Sequence, residues 1–206
     1  MSAGVVLVDF DGTVTPVDSD FALADAWLGA EAGPAMYGPL AAAYERLEIG
    51  MQAYFEGYLA GLKATPAQMA TVAAQLPVRP GFMDFVRWCR EVGLELRLVS
   101  EGLDLYIQPI LDAHGLGDLP LSCNRAEERA GGYRISAAVG AESCGRCLNC
   151  KGAHVRRARA DGAAFVAVVG NGASDLCAAR LADAVFARDS LAAHCARLGL
   201  DYVPWE

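Results

Sequence analysis

The sequence predicts an α/β fold: a parallel sheet with helices on both faces and a small helical bundle inserted after the first strand. Three observations predict it. The apolar run Val5-Val6-Leu7-Val8 ends abruptly in acidic residues. From Pro80-Gly81 onward, strand-like and helix-like stretches alternate. Between these parts lies a segment of helical periodicity, rich in Ala, Leu, Met and Tyr.

Each element has its own signal. Val5 to Val8 is short, β-branched and uninterrupted by polar residues, as a strand buried on both faces requires. Phe21 to Leu76 is broken at Gly33-Pro34, Gly38-Pro39 and Thr65-Pro66, which predicts three or four helices. Thr65-Pro66-Ala67-Gln68 combines an N-cap, a proline in the first turn and a capping-box glutamine. Beyond it, Phe82 to Val92 reads as a helix, Leu94 to Val99 as a strand ending at Ser100, and Leu103 to His114 as a helix. Leu119 to Val139 reads as irregular strand and hairpin, with Gly131-Gly132 at the turn. Lys151 to Ala160 follows as a helix, Ala163 to Val169 as a strand running into Gly170-Asn171, and Asp175 to Ala182 as a helix. Ala184 to Ala187 and Asp201 to Val203 close the series as strands. The expected division is a core of residues 1–16 and 77–206 around a helical cap of residues 17–76.

Composition narrows the function. The chain has 206 residues, 54% hydrophobic and 20% charged, enough to bury a core. A formal charge of −8 opposes nonspecific nucleic-acid binding. No apolar stretch is long enough to span a membrane, and no export signal is evident. Seven unevenly spaced cysteines then imply a reducing, cytoplasmic setting. Oligomeric state is left open. An acidic chain that handles an anionic substrate must supply positive charge locally, from a metal, a lysine or a helix N-terminus.

The polar residues gather where an open parallel sheet places its ligands, beyond the carboxyl ends of the strands. Asp9 and Asp11 leave the first strand together, and Gly12 permits the turn that lets both face one crevice. Two such carboxylates repel unless a cation intervenes; with a divalent cation Asp9 stays ionised as a nucleophile and Asp11 acts as the acid. Ser100 ends another strand, and its hydroxyl with the next backbone amides suits a phosphoryl oxygen. Lys151 begins a helix, an unfavourable place for a cation unless an anion shares it. Asn171 and Asp175 flank a turn at a helix start and offer oxygen to a hard cation.

Taken in order, Asp9-Phe10-Asp11-Gly12-Thr13, Ser100, Lys151 and Gly170 to Asp175 resemble the four motifs of haloacid dehalogenase-type phosphatases. The resemblance implies a Rossmann-like core and a helical cap of the phosphoserine phosphatase kind. A subfamily-level resemblance to 2-hydroxy-3-keto-5-methylthiopentenyl-1-phosphate phosphatase rests on three further stretches. These are Ser122-Cys123-Asn124, the cysteines before Lys151, and Phe186-Ala187-Arg188-Asp189 with Cys195 and Pro204. It leaves open whether the small phosphorylated metabolite is that intermediate, phosphoserine, or a phosphocholine-like or sugar phosphate. The implied chemistry is a covalent aspartyl-phosphate on Asp9, with Asp11 as general acid and then base. Mg²⁺ is expected on Asp9, Asp11, Asn171 and Asp175. The phosphoryl group is expected among Gly12, Thr13, Ser100, Glu101, Gly102 and Lys151.

Two positions depart from the family pattern. Asn171 stands where the family has an aspartate, so Mg²⁺ should bind more weakly. Glu101 replaces a small residue, and either repels phosphate or contacts a polar substrate group. These departures keep a catalytically weakened phosphate binder, and a phosphotransferase, as alternatives to a phosphatase. Cys144, Cys147 and Cys150, with Cys123, have the thiolate count for structural Zn²⁺; reduced thiols, a redox pair or an iron–sulfur site are the alternatives. Asp18 and Asp20 read as helix caps and His154 as a helix-surface residue.

Overall fold

The computed structural model describes residues 4–139 and 147–206. Its strands are β1 (Val5–Val8), β2 (Glu95–Leu103), β3 (Leu121–Arg129), β4 (Gly132–Ser136), β5 (Val166–Gly170), β6 (Ala184–Ala187) and β7 (Val203–Pro204). They form a sheet in the order β4-β3-β2-β1-β5-β6-β7. Every pairing is parallel except the β3–β4 hairpin. The helices are α1 (Ser19–Leu28), α2 (Ala32–Glu45), α3 (Met51–Leu62), α4 (Pro66–Ala73), α5 (Phe82–Glu91), α6 (Asp104–Ala113), α7 (Lys151–Ala160), α8 (Leu176–Ala179) and α9 (Asp189–Leu198).

β1 is central, between β2 and β5, and its unbroken apolar run follows from burial on both faces. Val5 and Leu7 pack with Val155 and Ala158 of α7; Val6 and Val8 join the larger core on the opposite face. That larger core continues without interruption into Tyr58, Leu59, Leu62 and Met69 of the inserted helices. Four helices, α1 to α4, occupy residues 19–73, and α4 starts with the expected Thr65–Gln68 capping box.

Three elements differ from the sequence expectation. β2 runs past Ser100 to Leu103, because an irregularity between Val99 and Leu103 lets the strand resume its pairing with β3. α8 holds four residues, preceded by the tight turn Ala173–Asp175, because Asp175 turns back to bond the loop before it. The 121–129 stretch is one strand, its first part paired to β2 through Asn124 and its second part, from Arg125 to Arg129, paired to β4.

Candidate active site

Asp9 directly follows β1, and its backbone N–H is held by Val169 O of β5 (2.9 Å). The chain then makes one tight turn, Phe10–Val14, in which Gly12 has φ +74°. A Cβ there would lie 2.1 Å from Asn171 Nδ2, so only glycine lets the turn approach the β5 loop this closely. Arg79 fastens the turn from outside, donating from Nε to Thr13 O (3.1 Å) and from its terminal nitrogen to Gly12 O (2.8 Å). Sequence reasoning missed Arg79; its place before Pro80-Gly81 gave no chemical signal.

Lys151 opens α7 yet is only 3% exposed. Its ammonium donates to Asp9 Oδ1, to Asp175 Oδ1 (2.5 Å) and to Ser174 Oγ (3.3 Å). Burial opposes a charge there, but Asp175 and Asp9 outweigh burial and hold the ammonium above the usual lysine range. Burial, with Asp175 beside it, raises Asp9 to about 7 against the pull of Lys151. Thr13 Oγ1 reaches Asp9 Oδ2 (3.3 Å) and Asn171 Oδ1 (3.4 Å). The oxygens converging there are hard donors of the kind Mg²⁺ takes. Asp175, expected as a metal ligand, has both oxygens engaged: Oδ1 by Lys151, Oδ2 by the Asn171 (3.0 Å) and Gly172 (2.9 Å) amides.

Asp11 faces the same crevice. Its Oδ1 accepts the Ser19 N–H (2.8 Å), at the start of α1, and its Oδ2 accepts Ser100 Oγ (3.3 Å). Burial raises its carboxyl above the ordinary range, although these donors pull the other way. The Gly102 N–H donates to Ser100 Oγ (2.9 Å) and so aims the hydroxyl. Glu101 Oε2 and Oε1 accept the amides of Leu148 (3.1 Å) and Asn149 (3.2 Å), which ties β2 to the segment leading into Lys151. Asn149, also unforeseen, bridges Ser100 O and Ser122 O through Nδ2 (2.8 Å each). His154 does not simply face solvent: its Nε2 lies 2.6 Å from Asn149 Oδ1. Asp18 makes no side-chain cap bond, and Asp20 instead accepts Tyr54 OH (2.6 Å) and its neighbour's amide.

Asp9, Asp11, Lys151 and Asn171 line a polar cavity of about 320 Å³. A second cavity, about 600 Å³, shares Asp11, Asp18, Glu101 and Ser174 with it and extends beneath α1 to α3.

Residues 6–180 match the family model described as haloacid dehalogenase-like hydrolase. The chain belongs to that family. Among curated relatives, this haloacid dehalogenase-like hydrolase is 31% identical over 203 residues to 2-hydroxy-3-keto-5-methylthiopentenyl-1-phosphate phosphatase of Brevibacillus brevis, covering 96% of this chain and 88% of the relative. It is 32% identical over 207 residues to the enzyme of the same name from Geobacillus thermodenitrificans, covering 98% and 90%. The fold matches a phospho-aspartyl intermediate analogue of phosphoserine phosphatase with a TM-score of 0.71 at 17% identity, covering 98% of this chain and 93% of that one. The chain is a phosphatase of the haloacid dehalogenase-like family.

The cysteine expectation gains no support. Cys144 lies outside the described residues. Cys123 packs with the main core and Cys147 with Cys150 in a separate cluster, and burial pushes the Cys123 thiol up to about 12. Among the described residues, no three His, Cys, Asp or Glu side chains are grouped to hold a metal.

Proposed function

We propose that this phosphatase hydrolyses a small phosphomonoester through an aspartyl-phosphate on Asp9. The observation that carries the proposal is the Asp9–Lys151 pair in the 320 Å³ cavity, with Asp11 held beside it by Ser19 and Ser100. Lys151 and Ser100 orient the phosphoryl oxygens and oppose their charge. An Asp9 carboxylate oxygen attacks phosphorus while the phosphorus–alkoxide bond breaks. Asp11, whose carboxyl burial raises above the ordinary range, gives its proton to the departing alkoxide. Asp11 then takes a proton from water, whose oxygen attacks phosphorus; phosphate leaves and Asp9 is restored.

Mg²⁺ fits this site through Asp9, the Asp11 carbonyl and Asn171, with Asp175 behind them as a positioning residue for Lys151 and the 171–172 amides. When bound, it supplies positive charge against the phosphoryl group. Helices α1 to α4, within residues 17–76, serve as the cap over the leaving group. The named activity of the relatives makes 2-hydroxy-3-keto-5-methylthiopentenyl-1-phosphate a leading substrate to test, since its uncharged tail suits a cleft with Phe21, Met51 and Phe55 on its walls.

The test is phosphate release from a panel of small phosphomonoesters, with and without Mg²⁺. Magnesium-dependent release is expected, and Asp9→Asn should abolish it. Equal release by Asp9→Asn would overturn the role of Asp9.

A further inference from the structure

Two loops carry the oxygens that the proposed metal site brings together. Asp9 leads into the turn Phe10–Val14, and Asn171 begins the loop after β5. Thr13 Oγ1 spans them, reaching Asp9 Oδ2 (3.3 Å) and Asn171 Oδ1 (3.4 Å), contacts too long to fix their spacing unaided. Firmer holds lie behind the cavity. Arg79 grips the turn through its own N–H to Val14 O (2.7 Å) and through its guanidinium to Gly12 O and Thr13 O. Gly170 O, one residue before Asn171, accepts the Arg188 N–H (3.2 Å) and the indole N–H of Trp205 (3.3 Å).

Trp205 is where these holds meet. The guanidinium carbons of Arg79 and Arg188 stand over its ring, 5.4 Å and 5.1 Å from the centroid. The negative face of an aromatic ring attracts a cation, and indole does so most strongly. The two arginines repel each other: burial and the nearby Arg188 hold Arg79 below the usual arginine range. One ring therefore keeps two like charges together, one fastened to the Asp9 turn and the other to the Asn171 loop. Arg188 is also paired with Asp189 (2.9 Å), which lines the 320 Å³ cavity. Trp205 and Arg79 share an apolar groove of about 460 Å³ with Phe82, Phe85 and Phe186, and a guanidinium shielded from water gains more from a ring than an exposed one. Strand pairing adds little here, since only Val203 and Pro204 of β7 pair with β6. Trp205 does not line the 320 Å³ cavity, so it acts only through other residues.

We infer that Trp205 is a positioning residue for the metal site: by bridging Arg79 and Gly170 O it sets the spacing at which Asp9 and Asn171 offer oxygen to Mg²⁺. The inference rests on the phosphatase reading for the identity of the metal, but its first test needs no turnover. Mg²⁺ binding to the unaltered protein, to Trp205→Phe and to Trp205→Leu is measured by calorimetry, with melting curves to show which variants fold. Trp205→Leu should bind Mg²⁺ about tenfold more weakly, the scale on which residues that orient metal ligands act. Trp205→Phe keeps a ring face and loses the indole N–H, so its affinity should fall between the two. Unchanged Mg²⁺ affinity in the variants that fold, whatever their melting temperatures, assigns Trp205 to fold stability alone and overturns the inference. On an Arg79→Met background, where the link to the turn is already cut, Trp205→Leu should weaken Mg²⁺ binding less than it does alone; an equal loss overturns the bridge. With an ester that is turned over and Mg²⁺ saturating, Trp205→Leu should lower kcat about tenfold and leave KM within about twofold. A change in KM alone overturns the positioning role. No Mg²⁺ binding by the unaltered protein overturns the inference, while phosphate release by that protein leaves the phosphatase reading standing. Weaker Mg²⁺ binding in the variants, with no release from any ester by the unaltered protein, supports the inference and overturns the phosphatase reading alone.

Discussion

An ammonium group as buried as that of Lys151 persists only where carboxylates surround it. Asp9 and Asp175 do so. Replacing Lys151 with Met should therefore destabilise the fold by about 3–5 kcal/mol, because Asp9 keeps its burial and loses its partner. Without the lysine, the folded chain holds the Asp9 proton to still higher pH than the unfolded chain does. Stability of Lys151→Met should thus go on declining as pH rises from 7 toward 9, where the Asp9 contribution in the unaltered protein has levelled off. Urea titrations across that range read the difference, and parallel curves would refute it. At Asn171 the question is charge, not shape. Asn171→Asp adds a negative oxygen beside Asp9, so the Mg²⁺ concentration for half-maximal activity should fall by about tenfold, ~1.4 kcal/mol. An unchanged requirement would remove Asn171 from the metal site.

At the scale of elements, the turn Phe10–Val14 and strand β2 carry the groups proposed to react, and both are held by residues from elsewhere in the chain. Arg79 grips Gly12 O and Thr13 O. Arg79→Met leaves two carbonyls short of donors, at about 1–3 kcal/mol, and should lower kcat more than it raises KM, since the turn aims the nucleophile. A rise in KM alone would show that Arg79 acts on binding instead. The sequence made the turn itself legible, because Asp-x-Asp-Gly-Thr after an apolar strand has few other uses. It did not show Arg79, since a single arginine before Pro-Gly carries no pattern. Nor did it show the second task of Glu101, for a related reason. Beside Ser100 it looks like a substrate contact; it lines both cavities, and its carboxylate also accepts the Leu148 and Asn149 amides.

Across the whole molecule, the inserted helices and the sheet share one apolar core, so the cleft between them is part of the folded unit. Asp20 lies at that junction. Burial, reinforced by Asp11, raises its carboxyl to about 7. Between the unfolded value of 3.8 and that point, the folded chain binds more protons than the unfolded chain, so this group makes stability fall as pH rises. Asp20→Asn should remove that part of the slope while the contributions of Asp9 and Asp11 remain. Melting temperatures at pH 5 and pH 8 test it: the gap between them should narrow in the variant. A gap of the same size would show that Asp20 is ionised in the folded protein throughout.

The residues of the reacting centre were set by local sequence. An apolar strand that ends in carboxylates and a helix that begins with Lys151 each declare themselves within a few residues, because strand ends and helix starts are local features, whereas β2 runs on past Ser100. The sheet order then brings these ends together. Tertiary structure alone decided which oxygen each donor takes. Arg79 reaches Thr13 across 66 positions, Asn149 reaches Ser100 across 49, and Asp175 turns to Lys151 and the Asn171 and Gly172 amides. Such choices depend on distances between chain segments far apart in sequence, and no spacing rule within one segment can express them.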